Sequence, residues 1–104
     1  MTARMIVVYR EPRDPAAFNA HYFGVHIPLA KQLRGLRSYE VSQGPIMSPT
    51  GTPAYLIGTL VFDSLAVLRE AFASEIGKAC AADRRILAPE EGQVEMFIFE
   101  SVES

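Results

Sequence analysis

The fold is decided by the stretch at residues 18–29, which reads FNAHYFGVHIPL. It holds both histidines of the 104-residue chain within six positions and has a proline near its end. Histidine takes up or releases a proton near neutral pH, so titratable and aromatic groups are concentrated here. The larger apolar residues recur at spacings of four, three and four, which predicts one apolar face on a helix. These residues are Phe18, Tyr22, Val25 and Leu29.

Signals on both sides of this stretch predict the bounds of the helix. Asp14 is a good N-cap and Pro15 suits the first helical position, so we expect the helix to begin there. Pro28 lacks an N–H, and its ring would clash with the carbonyl four residues earlier. The predicted outcome is a break or kink between Val25 and Pro28, a second short helix to Arg34 and a left-handed stop at Gly35.

The remaining segments predict the order βαββαβ, which is the ferredoxin-like α+β arrangement. In this fold one antiparallel four-stranded sheet carries two helical regions on one face. Its first and third strands are central, and those are the two segments that are apolar at successive positions. The predicted strands are Met5–Tyr9, Leu36–Gln43, Ala54–Phe62 and Gln93–Glu100. Turns are predicted at Glu11–Pro15 and Pro89–Gly92, and a loop at Gly44–Pro53. The second helical region has a cap at Asp63 or Ser64, contains Leu65, Leu68 and Phe72, is interrupted at Ser74–Gly77 and resumes over Lys78–Leu87.

Two helical regions cover only one face of such a sheet, and the opposite face also looks apolar. A large apolar patch on a protein surface usually belongs to an interface. We therefore expect a homodimer that pairs two sheets face to face, with a monomer that leaves one face wet as the alternative. The residues assigned to the helix-free face are Ile6, Val8, Leu56, Leu60 and Phe62, or their immediate strand neighbours.

Composition narrows the classes of partner. The formal net charge is −2 and no basic tract is present, which argues against nucleic acid. The single Cys80 excludes an internal disulfide and fits a reducing compartment, and its alanine neighbours favour a small packed side chain. The apolar run at Met5–Val8 is too short for a signal peptide or a membrane span. The expectation is a cytoplasmic protein that does not bind membranes.

The histidine-containing stretch resembles the EthD family of small α+β proteins. The resemblance implies a single EthD-like ferredoxin-fold domain over residues 1–104, assembled as a dimeric α+β barrel. The family name records bacterial degradation of ethyl tert-butyl ether alongside an oxidative system. The matching pattern is Phe18-x-x-His21-Tyr22-x-x-x-His26-x-Pro28-Leu29, preceded by Tyr9-Arg10-x-Pro12-x-Asp14. Gly35-Leu36-x-x-Tyr39, Phe62-Asp63-Ser64-Leu65 and the small residues from Ala79 to Asp83 fit it too.

Tyr22 and His26 are the predicted catalytic pair. They are four residues apart and share a helix face, with Phe18 one turn earlier. We expect a mostly apolar cavity between this face and the sheet, and small-molecule sites usually have such a lining. A structural His26 bonded to a backbone carbonyl is the alternative, although the His-x-Pro-Leu element is the most recognisable part of the family pattern. The predicted substrate-binding residues are Tyr9, Phe18, His21, Tyr55 and Phe97.

Neither a metal nor an organic cofactor is predicted. His21 and His26 are five residues apart, about 140° around a regular helix, so they point to different sides. We find no cluster of Cys, Asp or Glu that would complete a metal site, and no glycine-rich phosphate loop.

Three functions remain open from the sequence. The first is a cofactor-independent enzyme of the isomerase, cyclase or monooxygenase type, in which His26 transfers a proton. The second is an accessory or carrier protein of an oxidative degradation system. The third is haem handling, which rests on fold analogy alone.

Overall fold

The computed structural model describes residues 1–104 and confirms the ferredoxin-like α+β fold. Its four strands form one antiparallel sheet in the order β2-β3-β1-β4, so the first and third strands are central as predicted. The helices pack on one face of this sheet. No helix has the length and apolar character needed to cross a membrane. The elements are β1 (Thr2–Tyr9), α1 (Pro15–His21), a π-helical turn (Tyr22–His26), α2 (Ile27–Ala30), β2 (Leu36–Val41), β3 (Leu56–Phe62), α3 (Leu65–Ala73), α4 (Glu75–Leu87) and β4 (Val94–Ser101).

The core lies between the sheet and the helices because buried and partly exposed side chains alternate strictly along the two central strands. Every second residue of β1, from Ala3 to Tyr9, is buried under the helices. On β3 the inward positions begin at Leu56 and end at Phe62. The assignment of Leu56, Leu60 and Phe62 to the helix-free face was therefore wrong, since successive side chains of a strand point to opposite faces.

The helix-free face is apolar nonetheless. Ile6 and Val8 lie on it as predicted, because they alternate with the buried residues of β1. Strand register adds neighbours from both sides: Ile57 is paired with Val8, and Phe97 with Ile6. Val61 and Phe99 complete the apolar surface, which we call the open sheet face. Phe97 and Phe99 are 48% and 40% exposed there.

The first helical region does not break at Pro28, in contrast to the prediction. The backbone remains helical through a π turn, in which the Ile27 N–H donates to the carbonyl of Tyr22, five residues earlier. This wider turn changes the carbonyl positions beneath the proline ring and removes the expected clash. α2 then continues directly, with Pro28 in its first turn.

The π turn also decides which side chains face inward. Val25, predicted to lie on the buried stripe, is 47% exposed, whereas His26 is 6% exposed. In a regular α-helix, steps of four residues overshoot one full turn by about 40° each. A π turn holds more residues per turn and offsets this drift. Positions four apart therefore stay inward through the whole region: Phe18, Tyr22, His26 and Ala30.

Capping follows the sequence closely elsewhere. The Asp14 carboxylate accepts from the Ala17 N–H at 3.1 Å, and Ser64 caps α3. The predicted interruption at Ser74–Gly77 contracts to Ser74, which ends α3 and whose hydroxyl accepts from the Gly77 N–H to begin α4. Gly35 has the expected left-handed conformation, with φ of 86°.

Replacing Gly35 with Ala is expected to lower the free energy of unfolding by more than about 1 kcal/mol, because a residue with a Cβ would be forced into the positive-φ conformation of this position. The added Cβ would also clash with Cγ1 of Val67 on α3. Gly44→Ala is the matched control, since Gly44 has φ of 76° but no atom within 4 Å of a Cβ. Chemical denaturation should show a clearly larger loss for Gly35→Ala. Equal losses would mean that the contact with Val67 adds nothing.

Candidate functional site

One carboxylate on α4 joins both histidines of the first helical region. Asp83 is buried, and its Oδ1 accepts a hydrogen bond from Nε2 of His21 at 2.8 Å. Its Oδ2 accepts from Nδ1 of His26, also at 2.8 Å. The sequence analysis missed Asp83 as a site residue, because it follows His26 by 57 positions and the contact is made only when α4 packs on the π turn.

These two bonds fix the charge of the cluster. Burial alone raises the pKa of Asp83, but the hydrogen bonds from His21 and His26 outweigh it and hold the pKa below its ordinary value. The carboxylate is therefore ionised at neutral pH and only accepts hydrogen bonds. Burial lowers the pKa of His26 in spite of the opposing bond to Asp83. His26 is then a neutral imidazole with its proton on Nδ1 and a lone pair on Nε2.

Aromatic rings hold His26 in this orientation. The imidazole stacks on the ring of Tyr22 with centroids 5.5 Å apart, and Phe18 stacks on the other side of Tyr22 at 5.7 Å. The hydroxyls of Tyr22 and Tyr39 share a hydrogen bond of 2.7 Å. Gly58 makes this approach possible, because a Cβ at that position would lie 2.9 Å from the Tyr22 oxygen. Tyr39 is a second residue that sequence reasoning left out of the site.

A small cavity lies beside His26, between the helices and the sheet. His26, Tyr9, Tyr39 and Arg84 contribute its polar lining. Its volume is about 10 Å³, which is enough for about one water molecule. Every buried side-chain nitrogen or oxygen has a hydrogen-bond partner. Since Nε2 of His26 and the Tyr9 hydroxyl form no bond within the protein, both atoms must remain accessible.

The tyrosines of the site stay protonated at neutral pH. Burial is the main cause that raises the pKa of Tyr9, and the Arg84 charge opposes it only in part. Burial likewise raises the pKa values of Tyr22 and Tyr39. Each phenol is thus available as a hydrogen-bond donor and not as a base.

The space suited to an organic molecule lies next to this cavity and not around His26 itself. An open cleft of about 430 Å³ runs between α3, α4 and the edge strand β4. It shares three lining residues with the small cavity: Met5, Phe72 and Arg84. We call it the β4 cleft. Its other apolar lining residues include Leu68, Ala81, Met96 and Ile98.

The predicted site residues divide into two groups. His26, Tyr22 and Tyr9 come together as expected, with Tyr22 stacked on His26 and edge-on to Tyr9. Tyr55 instead donates its hydroxyl hydrogen to Asn19 at 2.8 Å, away from the cavity. The placement of Phe97 on the cavity side was wrong, because its register with Ile6 puts it on the open sheet face.

Phe18 and His21 line a separate surface pocket of about 310 Å³, between α1 and the turn before β4. His21 thus contacts Asp83 from the solvent side, with 30% of its side chain exposed. The two histidines bond opposite oxygens of one carboxylate and do not converge on a common point. The chain contains no group of three His, Cys, Asp or Glu side chains arranged to hold a metal ion.

Fold and site together define a ferredoxin-like α+β protein with a histidine–carboxylate–tyrosine cluster beneath its helices. Residues 10–88 match the EthD domain family, and the chain belongs to that family. It is 36% identical over 80 residues to an uncharacterised 11.0 kDa protein of the thcB-thcC intergenic region of Rhodococcus erythropolis, covering 77% of this chain and 78% of the relative.

Solved structures agree with the family assignment. An ethyl tert-butyl ether degradation (EthD) family protein from Bacillus halodurans is similar with a TM-score of 0.86 and 31% identity, over 98% of this chain and all of the other. Two more distant structures share the fold. SnoaB, a cofactor-independent oxygenase from Streptomyces nogalater, has a TM-score of 0.69 at 14% identity, over 99% and 95% of the two chains. A dimeric ferredoxin-like protein of unknown function from Thermobifida fusca has a TM-score of 0.68 at 16% identity, over 95% and 90%.

The Asp83→Asn variant is expected to lose about 1.5–3 kcal/mol of unfolding free energy at pH 7, because an amide cannot accept from both histidines through two oxygens. The folded-state pKa of Asp83 is lowered, so its stabilising effect is present above the unfolded pKa near 4 and disappears as the pH falls through the folded value. The difference in unfolding free energy between Asp83→Asn and wild type should therefore become smaller below about pH 4.

Asp63→Asn is the control for this experiment. Asp63 is an exposed carboxylate that pairs with Arg37 at 3.2 Å, so its loss should cost less than about 1 kcal/mol. Urea titrations of both variants across pH measure the two effects. An equal cost at the two positions would contradict the role assigned to Asp83.

Proposed function

We propose that this protein binds a small organic molecule with a largely apolar body in the β4 cleft and that His26 exchanges a proton with it, without a cofactor. The observation that carries the proposal is the orientation of His26. Its Nδ1–H is bonded to the buried Asp83, its Nε2 forms no hydrogen bond within the protein, and His26 lines the small cavity. A buried imidazole held by a carboxylate in one tautomer is suited to act as a general base.

The proposed chemistry is removal of a proton from a carbon next to a carbonyl. The lone pair on Nε2 takes the proton, and the pair of electrons from the C–H bond moves onto the carbonyl oxygen as an enolate. Asp83 stabilises the imidazolium that forms, through the Nδ1–H bond. The Tyr9 hydroxyl is a free donor on the same cavity, and such a donor stabilises a developing oxyanion.

The size of the small cavity bears on how the proton travels. A volume of about 10 Å³ admits one water molecule, and a general base acts directly or through one water. A ligand in the β4 cleft would lie against Phe72 and Arg84, which also line the cavity beside His26. Proton exchange through a single water is therefore the route that the geometry favours. The description of SnoaB as a cofactor-independent oxygenase supports a reaction that needs no bound cofactor.

Proton–deuterium exchange at the carbon next to the carbonyl of 2-tetralone, followed by NMR, tests this function. Wild type is expected to accelerate the exchange, and His26→Gln to reduce the acceleration at least about 100-fold, in the range of a lost general base. His21→Gln is the matched control, because it leaves the Asp83–His26 bond in place. Binding of 2-tetralone without accelerated exchange by wild type would instead support the carrier function, and equal rates for His26→Gln would exclude His26 as the base.

We also propose that the protein is a homodimer that buries the open sheet face. The exposed phenylalanines of β4 and the aliphatic residues of β1 and β3 form an apolar surface on the side that the helices leave uncovered, interrupted by Arg4 between Val61 and Phe99 and by Thr59 opposite Ile6. Surfaces of this kind are usually covered by a partner, and a two-fold pair is the commonest solution. The dimeric description of the Thermobifida fusca protein supports the same arrangement.

Phe97→Glu should convert this dimer to a monomer at micromolar concentration, because it would place a carboxylate in the centre of the interface. Ile86→Glu is the control: Ile86 is 66% exposed on the outer side of α4 and lies away from the open sheet face. Analytical ultracentrifugation distinguishes the two. A dimeric Phe97→Glu, or a monomeric wild type, would contradict the assembly.

A further inference from the structure

Arg84 is a half-buried cation that has no hydrogen-bond or ion-pair partner within the protein. Three arginines are partly buried: Arg4, Arg10 and Arg84. Arg4 donates to the hydroxyl of Ser101 at 3.0 Å, and Arg10 forms an ion pair with Glu95 at 3.1 Å. Arg84 forms neither a hydrogen bond nor an ion pair within the protein. Because no buried side-chain nitrogen is left unsatisfied, its guanidinium donors must reach accessible space.

The carboxylate next to Arg84 in sequence does not serve as its counter-ion. Both oxygens of Asp83 are occupied by the two histidines, at 2.8 Å each. The side chain of Arg84 instead lines the small cavity and the β4 cleft at once. Its charge acts on the cavity side: it opposes the rise that burial causes in the pKa values of Tyr9 and Cys80, and it adds to the lowering that burial causes in the pKa of His26. An arginine guanidinium is well suited to carboxylate recognition because its donors match the two oxygens.

The rest of the β4 cleft is complementary to an apolar body. Leu68, Phe72, Met96 and Ile98 form its walls. The other charged residue that lines it is also a cation, Arg69, and no acidic residue takes part. Its volume of about 430 Å³ falls within the range of about 300–1,000 Å³ that is usual for small-molecule sites.

We infer that the ligand of the β4 cleft is an organic anion, with a carboxylate or phenolate bound by Arg84 and an apolar ring or chain along Phe72, Met96 and Ile98. This inference rests on the proposed small-molecule site and specifies its ligand class. Arg84 lines both the β4 cleft and the small cavity that His26 lines, so it belongs to the side of the cleft that adjoins this cavity. The anionic group of the ligand therefore lies inward, and the apolar part extends toward the edge of β4.

The test compares acids with neutral molecules of the same shape: 2-naphthoate with 2-naphthamide, and octanoate with octanamide. Isothermal titration calorimetry should show each acid binding wild type at least tenfold more tightly than its amide. Arg84→Met, which keeps the length of the side chain but removes the charge, should abolish this preference. Arg84→Lys should retain part of it. Arg85→Met is the matched control, because the neighbouring Arg85 is exposed and lines neither the cleft nor the cavity, and its preference should equal that of wild type.

A further variant locates the binding. Ala81→Phe fills the cleft and should weaken both members of each pair at least tenfold, with an unchanged melting curve as the check on folding. Equal binding of acid and amide to wild type, or a preference that survives in Arg84→Met, would overturn the anionic ligand class while leaving the small-molecule site in place. If none of the four compounds binds, both this inference and the β4 cleft as the ligand site are wrong. A change of sedimentation in Ala81→Phe would assign the cleft to contact with a second copy and would overturn the inference.

Discussion

The arrangement of the site depends on one buried carboxylate that serves two histidines. Asp83 on α4 bonds His21 at the end of α1 and His26 at the end of the π turn, and so ties the two helical regions together above the sheet. Hydrogen bonds to a charged group are worth about 1.5–3 kcal/mol each, which offsets the cost of keeping the carboxylate out of water. The same two bonds keep Asp83 ionised and place the proton of His26 on Nδ1. Stability of the helical layer and the chemistry of the site therefore have a common origin.

The π turn is the backbone feature that makes this arrangement possible. It lets Pro28 remain within a continuous helical region, and it keeps Phe18, Tyr22 and His26 on the inward face. In a regular helix with a break at Pro28, His26 would lie at a helix end with its ring free to turn. Here the ring is stacked on Tyr22 and bonded to Asp83, and these two contacts fix the direction in which its Nε2 points. π turns recur at functional sites in proteins, which is in keeping with the role proposed for His26.

Much of the fold was predictable because it depends on local signals. Asp14, Ser64 and Gly35 act where their cap and stop chemistry indicated, and the strand order followed from the alternation of strands and helices. The sheet faces were harder to assign. The segment from Leu56 to Phe62 is apolar at most positions. The sequence therefore does not show which of its side chains face the helices, and this becomes clear only when β3 pairs with β1. That ambiguity explains the misplaced Leu56, Leu60 and Phe62. The apolar run from Met96 to Phe99 creates the same ambiguity for Phe97 on β4.

The set of residues predicted for the candidate site was incomplete where contacts are distant in sequence. Tyr22 and His26 were recognised from a spacing of four, and Tyr9 from its place on β1. Asp83 and Tyr39 carry no comparable signal, because each reaches the site only when α4 and β2 pack against the first helical region. Arg84 was not predicted for another reason. An arginine in a helix is usually solvated, and only the structure shows that this one is half-buried without an anion.

The most direct test of this account is the protonation state of His26, read from side-chain ¹⁵N chemical shifts in wild type and in Asp83→Asn. At pH 7 the account predicts a neutral His26 with its proton on Nδ1 and an unprotonated Nε2, since the pKa of the buried imidazole is lowered and Asp83 accepts from Nδ1. In Asp83→Asn that tautomer should lose its dominance. A wild-type His26 that is cationic at pH 7, or that carries its single proton on Nε2, would contradict the central role of Asp83.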